Sequence, residues 1–293
     1  MKRTLAYKKV GDHEILADVY RRPGEETRPT ILWIHGGALI SGSRNYLRED
    51  QIQWALDGGF NVVSIDYRLA PETKLPEIVQ DIQDAYRWVR EEVPRLFGAD
   101  PGRIAVMGQS AGAYLALLIG HSVQPRPRAL VSVSGYGDIV GSWYRHPDPF
   151  YMRQPTISRE DAEKVVGNRI VSEGCNDRYR FYVFCRQQGR WSLEVGGKDP
   201  DQDGEFFEAF CPVRNVSTDY PPTLLLHGDR DTDVPYEQSV HMAHALARHR
   251  VEHELITVAN GDHNFETANG GLADPENAAR FGRVMRFLKS HLG

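Results

Sequence analysis

The sequence predicts an α/β protein: a mostly parallel central sheet with helices on both faces and one insertion ahead of the last strands. Three observations lead there. Short, near-continuous apolar runs alternate with stretches of helical periodicity from about residue 30 to 135. The same alternation resumes at about residue 222. Between the two the alternation stops, and the chain turns polar and dense in Arg, Asp and aromatic residues. Continuous apolar runs suit strands buried on both faces, and strand–helix–strand order makes such strands parallel. The expected organisation is a core of residues 1–134 and 221–293 with an insertion, 135–220, lying over one end of it. The insertion has too few aliphatic residues for a core of its own.

In chain order, Leu5 to Val10 and Ile15 to Tyr20 read as strands joined at Gly11-Asp12-His13, a hairpin signal. Residues 23–29 form a polar loop. Thr30 to Ile34 is an apolar strand that runs into His35-Gly36-Gly37-Ala38. Asn45 to Leu56 can form a helix, which Gly58-Gly59 stops. Phe60 to Ile65 is the next buried strand and leads to Asp66-Tyr67-Arg68-Leu69-Ala70-Pro71-Glu72. Leu75 to Val93 carries apolar residues at helical spacing. Ile104 to Met107 is a strand, Ala113 to Ile119 a helix, and Ala129 to Val133 a strand. Within the insertion, Ser158 caps a helix to Val166, with Glu160 and Asp161 in its first turn. Glu173 to Gln188 reads as a second helix, and 196–204 as a loop. Thr223 to Leu226 is a strand, Tyr236 to His249 a helix, Glu254 to Val258 the last strand, and Pro275 to His291 a closing helix.

Composition narrows the function. A chain of 293 residues, 41% hydrophobic, can bury a large core. A net charge of -5 without a run of Lys and Arg argues against nucleic acid as a partner. No apolar stretch approaches the length of a membrane span. The basic residues of Met1 to Lys9 have no apolar segment behind them, so no signal peptide is expected. Cys175, Cys185 and Cys211 are odd in number and form no C-x-x-C pair, which points to neither a disulfide framework nor a zinc site. A cytoplasmic location is the expectation.

The chemistry centres on Gly108-Gln109-Ser110-Ala111-Gly112, set between a strand and a helix. That is the context of a nucleophile elbow, in which a strained turn exposes the serine hydroxyl. Gly108 and Gly112 remove Cβ atoms that would collide with the facing strand and helix. Ser110 keeps its proton at neutral pH and needs a base, and the base needs an orienting acid. After an elbow the acid and then the histidine follow along the chain. Asp229, Asp231 and Asp233 follow one strand end, and His263 follows the last. His241, His244, His249 and His253 lie on or beside a helix and read as exposed. The negative charge that develops on a carbonyl oxygen needs amide donors. Gly36 and Gly37 let a backbone approach closely, so the amides of Gly37 and Ala38, with that of Ala111, are assigned to an oxyanion hole. No cofactor or metal is required.

Five motifs in this order, His35-Gly-Gly-Ala38, Asp66 to Glu72, Gly108 to Gly112, His227-Gly-Asp-Arg-Asp231-Thr-Asp-Val-Pro235 and Gly261-Asp-His263, resemble the α/β-hydrolase superfamily. More narrowly they look like hormone-sensitive-lipase-like, acetyl-esterase and feruloyl-esterase enzymes. The resemblance implies a serine carboxylesterase with Ser110, Asp231 and His263 as its triad, acting on a small-molecule ester. It favours Asp231 among the three carboxylates. The oxyanion motif departs from His-Gly-Gly-Gly at Ala38, whose amide can still donate. Lipase-like relatives usually carry a cap before the first motif. Only 34 residues precede His35, so the cap is expected from 135–220. Asp66, Tyr67 and Arg68 read as braces beneath the site.

Two other readings stay open. An amide-cleaving relative, a formamidase or a prolyl-oligopeptidase-like aminopeptidase, would use the same triad and could hold a substrate amine through Asp199, Asp201, Asp203 and Glu205. A member that only binds a ligand would keep the pocket without turnover. Trp143, Tyr144, Phe150, Tyr151, Tyr179 and Phe181 either line a pocket for short-acyl or small aromatic esters or pack a lid onto the body. Related esterases often form homodimers through the last strand and final helix, although no residue here demands one.

Overall fold

The apolar runs become the strands of one sheet, because each needs its backbone paired and both faces covered at once. The computed structural model describes residues 1–24 and 26–293, apart from the side chains of residues 268 and 269. The polar loop expected over 23–29 is thus described except at Glu25. The strands are β1 (Lys2–Val10), β2 (His13–Tyr20), β3 (Arg28–Ile34), β4 (Asn61–Ile65), β5 (Ala99–Gln109), β6 (Ala129–Val133), β7 (Thr223–Gly228) and β8 (His253–Val258). Their order is β1-β2-β4-β3-β5-β6-β7-β8. β1, β2 and β4 pair antiparallel, and β4, β3, β5, β6, β7 and β8 run parallel.

β3 lies between β4 and β5, so the chain leaves β3 in one direction and returns on its other side. That reversal opens a crevice at the carboxyl ends of the strands, where ligands of open α/β sheets sit. The register sets Ile34 beside Gly108. The loop after β3 and the turn after β5 therefore emerge side by side.

The helices are α1 (Glu49–Asp57), α2 (Leu75–Glu91), α3 (Val93–Phe97), α4 (Ala111–Ser122), α5 (Ser142–Arg145), α6 (Arg159–Glu163), α7 (Tyr179–Gln188), α8 (Trp191–Gly196), α9 (Gly204–Glu208), α10 (Glu237–Arg248) and α11 (Pro275–Leu292). Alternate residues of β3 feed opposite faces of the sheet. Ile31 and Trp33 join the cluster covered by α1 and α11, and Leu32 and Ile34 join the one covered by α2, α4 and α10. In α2, Ile78, Ile82, Ala85 and Val89 form the buried stripe that the sequence periodicity predicts. Asp274 caps α11 by accepting from the amides of Glu276 and Asn277.

Residues 135–220 add no strand to the sheet and carry α5 to α9. Ser158 caps α6 as expected, although that helix ends at Glu163. Two local expectations change. The helix expected over 173–188 is a single 3₁₀ turn, Asn176–Arg178, followed by α7. The loop expected over 196–204 is bordered by α8 and α9, each too short to leave a periodic signal. Gly197, at φ 74°, ends α8.

The insertion shares the body's core. Tyr136, Tyr144 and Trp191 belong to the cluster that contains Leu69, Ile78 and Tyr114. The rings of Tyr114 and Tyr136 stack at 4.9 Å and those of Tyr144 and Trp191 at 4.1 Å. Phe181 is buried in the same cluster. Arg178, itself buried, grips Glu72 through two nitrogens, Nη2 to Oε2 at 2.6 Å and Nη1 to Oε1 at 2.9 Å. The same guanidinium donates to the carbonyls of Ile40 and Ala70. One insertion side chain thus ties down the loops after β3 and β4.

The Glu72 side chain is 2% exposed, so removing its partner leaves a buried charge. Arg178→Met is expected to lower unfolding free energy by about 3–5 kcal/mol. Urea unfolding followed by far-UV circular dichroism and by tryptophan fluorescence checks this, with both probes expected to give one coincident transition in the parent. Two separate transitions there would show that 135–220 has a core of its own.

Candidate active site

β5 ends at Gln109 and α4 begins at Ala111, which leaves Ser110 alone to turn the chain, at φ 54° and ψ −122°. A non-glycine residue in that region carries strain of about 1–3 kcal/mol. Two backbone bonds hold it: Ser110 N donates to Val133 O at 2.8 Å, and Ser110 O accepts from Tyr114 N at 3.0 Å. The turn also needs its flanking glycines. A Cβ on Gly112 would lie 2.0 Å from Ile34 O, and one on Gly108 would lie 2.3 Å from the Gly112 carbonyl carbon. Both contacts are with backbone, which cannot step aside.

The loop after β3 is as tight. Gly37 has φ 104°, and a Cβ there would meet Ser41 O at 2.2 Å. Its carbonyl accepts from the amides of Ile40 and Ser41, both at 2.9 Å. Ala38 and Leu39 between them have φ 56° and 62°. Trp191 Nε1 donates to Ala38 O at 3.0 Å, so an insertion side chain fixes this loop. His35 is fully buried beneath it. Its ring stacks on Tyr67 at 4.2 Å, and its Nδ1 donates to Gly36 O at 2.7 Å. Burial drives its pKa down to about 4, so the ring is neutral.

The loops after β7 and β8 bring the remaining groups. His263 Nε2 lies 3.1 Å from Ser110 Oγ, and His263 Nδ1 lies 2.7 Å from Asp231 Oδ2. Asp231 is saturated with donors. Its Oδ1 accepts from the amides of Asp233 and Val234, both at 2.8 Å. Its Oδ2 accepts from His263 and also from His227 Nε2, at 3.0 Å. Burial alone would raise the Asp231 pKa, but the hydrogen bonds from the His227 and His263 imidazoles and the charge of His263 hold it well below the usual carboxylate range. Burial alone would lower the His263 pKa. The negative charges of Asp233 and Asp231, the Asp231 hydrogen bond and Glu266 outweigh it and raise the pKa to about 9.

Of the residues singled out in the sequence, Ser110, Asp231 and His263 come together, and Gly37, Ala38 and Ala111 border them. Asp229 does not join them: it is exposed and accepts from Asn260 N at 2.6 Å. Asp233 lies beside the line, with Oδ2 3.5 Å from His263 Nε2. His241, His244 and His249 are exposed, as expected, and His253 is half-buried.

The braces take partners from elsewhere in the chain. Asp66 pairs with Arg44, and Arg68 pairs with Asp81, with Nε to Oδ2 at 2.8 Å. Three residues were given no role by the sequence, although His227 opens one of the five motifs. His227 reaches Asp231 with Nε2, while its Nδ1 meets Ser239 Oγ at 2.7 Å. Since Asp231 and Val234 O both face Nε2, that nitrogen carries the proton and Nδ1 accepts from the hydroxyl. Glu266 is buried and accepts from the Gln109 side chain next to Ser110. Burial raises its pKa to about 7 against the pull of His263 and Arg48. Arg186, also buried, donates to Asp233.

A cavity of about 580 Å³ opens over Ser110 and is lined by Ala38, Tyr46, Arg48, Tyr179, Tyr182, Asp233 and Asn264, among others. Of the aromatics proposed to line it, Tyr179 does. Tyr144, Tyr151 and Phe181 pack the insertion onto the body instead. Asp199, Asp201, Asp203 and Glu205 do not line it. Among the described residues no group of three His, Cys, Asp or Glu side chains is arranged to hold a metal, and no helix is long and apolar enough to cross a membrane.

The chain has curated relatives. It is 27% identical to the non-reducing polyketide synthase adrD of Penicillium rubens, over 99% of this chain and 14% of that protein. It is 29% identical to Esterase LipC of Mycobacterium tuberculosis, over 89% of this chain and 59% of that protein. The chain therefore spans only part of the length of these relatives. Among solved structures, a hyperthermophilic esterase from the archaeon Pyrobaculum calidifontis aligns with a TM-score of 0.71 and 26% identity, covering 99% of this chain and 85% of that one. The model of the alpha/beta hydrolase fold family matches residues 31–267, a span that runs from the strand before His35 to just past His263. With an eight-stranded sheet of this order and a serine turn at the end of β5, the chain belongs to the α/β-hydrolase family.

Proposed function

We propose that the protein is a serine carboxylesterase in which Ser110 is the nucleophile, His263 the general base and acid, and Asp231 its orienting carboxylate. The observation that carries this reading is the unbroken line from Asp231 through His263 to Ser110, 2.7 Å and then 3.1 Å long. Ser110 Oγ attacks the ester carbonyl as its proton passes to Nε2. The oxyanion so formed is held by the amides of Gly37, Ala38 and Ala111. Among the described residues no backbone or side-chain acceptor takes the Gly37 or Ala38 amide, which leaves both free for that charge. The C–O bond to the alcohol then breaks, and the alkoxide leaves with the proton from Nε2. Water, deprotonated by the same nitrogen, hydrolyses the acyl-enzyme. Asp231 stays ionised throughout, since every donor around it favours the charged form.

The segment 135–220 serves as the lid. Trp191 fixes the loop that supplies two oxyanion amides, and Tyr179 and Tyr182 wall the cavity. A volume of about 580 Å³ with polar and aromatic walls suits short-acyl or small aromatic esters better than long chains. The similarity to Esterase LipC and to the Pyrobaculum calidifontis esterase supports ester chemistry. An amide-cleaving relative would use the same line, but the acidic residues expected to hold a substrate amine lie outside the cavity.

Ser110→Ala is expected to lower turnover of p-nitrophenyl acetate by at least about 10³-fold while the thermal unfolding midpoint stays close to that of the parent. Turnover within tenfold of the parent would remove Ser110 from the mechanism. The pH profile gives a second check. The base acts only when neutral, and a raised His263 pKa keeps it protonated at pH 7. kcat/KM for the same ester is therefore expected to rise with pH, with a midpoint near about 9. A midpoint at or below the ordinary histidine value of about 6.5 would contradict the charge arrangement around His263.

A further inference from the structure

One carboxylate stands at the reacting atoms without a part in the ester mechanism. Asp233 lines the cavity, and its two oxygens differ sharply. Oδ1 accepts from Tyr151 Oη at 2.8 Å, from Arg186 Nη1 at 2.9 Å and from Tyr182 Oη. Oδ2 has no such partner among the described residues and faces His263 Nε2 at 3.5 Å.

The position of Oδ2 identifies what it would meet. Nε2 must hand its proton to the leaving oxygen, so that oxygen comes within hydrogen-bond reach of Nε2. A second oxygen 3.5 Å from Nε2 therefore borders the leaving alcohol rather than the acyl chain. Seating an alcohol there displaces water from Oδ2. A hydrocarbon leaves the carboxylate oxygen desolvated and unpaired, whereas a hydrogen-bond donor satisfies it. Arg186 does not remove the charge. It is shared with Asp148, so two carboxylates face one guanidinium.

We propose that Asp233 determines leaving-group specificity: its free Oδ2 accepts a hydrogen bond from a hydroxyl or ammonium on the carbon next to the ester-bearing carbon of the alcohol. Preferred substrates are then partial esters of vicinal diols or esters of amino alcohols. The inference rests on the esterase reading. In such a substrate the Oγ–acyl bond forms, the acyl–alkoxide bond breaks, and the Nε2 proton goes to the released oxygen. The donor's own proton stays in its bond to Asp233, and no further reactant is needed.

The test compares kcat/KM for four acetate esters: propyl, 2-hydroxyethyl, 2-(dimethylamino)ethyl and choline. The 2-hydroxyethyl ester is expected to exceed the propyl ester by at least about tenfold, the size of effect a single hydrogen bond to a charged group supplies. The 2-(dimethylamino)ethyl ester, compared with the others at about pH 7 so that its amine is protonated and bears an N–H, is expected to exceed the propyl ester as well and separates an ammonium donor from a hydroxyl. Choline is a cation without one. A choline preference unaccompanied by a hydroxyethyl preference would overturn the proposal in favour of plain charge attraction.

Asp233→Asn sharpens the comparison. Three donors hold the Oδ1 position as an oxygen, so the asparagine NH₂ must occupy the Oδ2 position. A donor then faces the ammonium, which can only donate, and the preference for the 2-(dimethylamino)ethyl ester is expected to vanish or invert; a hydroxyl can accept from the NH₂ instead, so the hydroxyethyl ester is not the readout here. A folded variant that keeps the preference overturns the proposal, and so does a parent enzyme that hydrolyses the propyl and hydroxyethyl esters equally well, a result that needs no variant. A parent that hydrolyses none of these esters, nor p-nitrophenyl acetate, removes the esterase reading and this inference with it. Turnover without selectivity removes only the inference.

Discussion

The structure turns on a chain that passes from buried strand to buried helix through a single residue. Ser110 reaches its positive φ because β5 is hydrogen-bonded on both sides, to β3 and to β6, and cannot shift to relax the turn. Strain of about 1–3 kcal/mol is small beside what two strand ladders and a fully buried α4 supply, so the turn persists. Its neighbours are dictated in turn. Gly108 and Gly112 are fixed by the 2.0–2.3 Å gaps that a Cβ would have to fill. Because β3 is the reversal point of the sheet, the Gly36-Gly37-Ala38 loop is delivered to the same crevice. One backbone constraint thus places the hydroxyl and the donors opposite it.

The second organising feature is the treatment of negative charge. Asp231 is buried among four donors, two amides and two imidazoles, which stabilise it ionised and leave it no acceptor capacity to spare. Asp233, two residues on, is satisfied on one oxygen only. The difference follows from the turn between them: the Asp233 amide points back at Asp231, which turns its own side chain toward the insertion. There it meets Arg186, a buried guanidinium lying 4.8 Å from the Tyr151 ring centre and 5.1 Å from that of Tyr144. His263 consequently sits between two carboxylates, one on Nδ1 and one near Nε2. Only the first is of the kind a histidine-orienting acid requires.

Much of this was legible in the sequence wherever a motif is forced by backbone geometry. Gly-x-Ser-x-Gly between a strand and a helix, and Gly-Gly after a strand, state which residues lack side chains and therefore where the backbone closes up. The parallel strands were legible for the same reason, as continuous apolar runs. The β1–β2 hairpin was legible from its turn residues, but the antiparallel pairing of β2 with β4 and the placement of β3 between β4 and β5 were not, because apolar content specifies burial and not neighbours. Partner choice was also hidden. Asp66 and Arg68 read as braces in sequence without named partners, and each finds one from a distant loop or helix, Arg44 and Asp81. Glu266 gave no signal, and His227 stood at the head of a motif without a stated role, since one carboxylate or imidazole near a site resembles any other until its surroundings are known. The insertion's aromatics were ambiguous in principle: Tyr144 and Trp191, stacked and buried, differ from Tyr179 on the cavity wall only in what lies opposite.

The insertion departs from a simple hydrophobic cover. Arg178 and Arg186 are both buried, and each holds a carboxylate of the body, Glu72 and Asp233. Buried ion pairs are poor sources of net stability, because desolvation of both charges offsets most of the attraction. An apolar contact of similar area would serve as well if the insertion only had to stay attached. What an ion pair adds is intolerance of displacement: a shift of the insertion that breaks either contact strands a charge in a low-dielectric interior, whereas aromatic surfaces can slide. Arg178 reaches the loops after β3 and β4, Trp191 reaches the carbonyl of Ala38, and Arg186 reaches the carboxylate beside His263. These three tethers end on the loop that carries the amides of Gly37 and Ala38, on the loop after β4, and on the loop that carries Asp231 and Asp233. The insertion is therefore registered against the loops that border Ser110 and His263, and the shape of the cavity is set by the same contacts that hold the insertion in place.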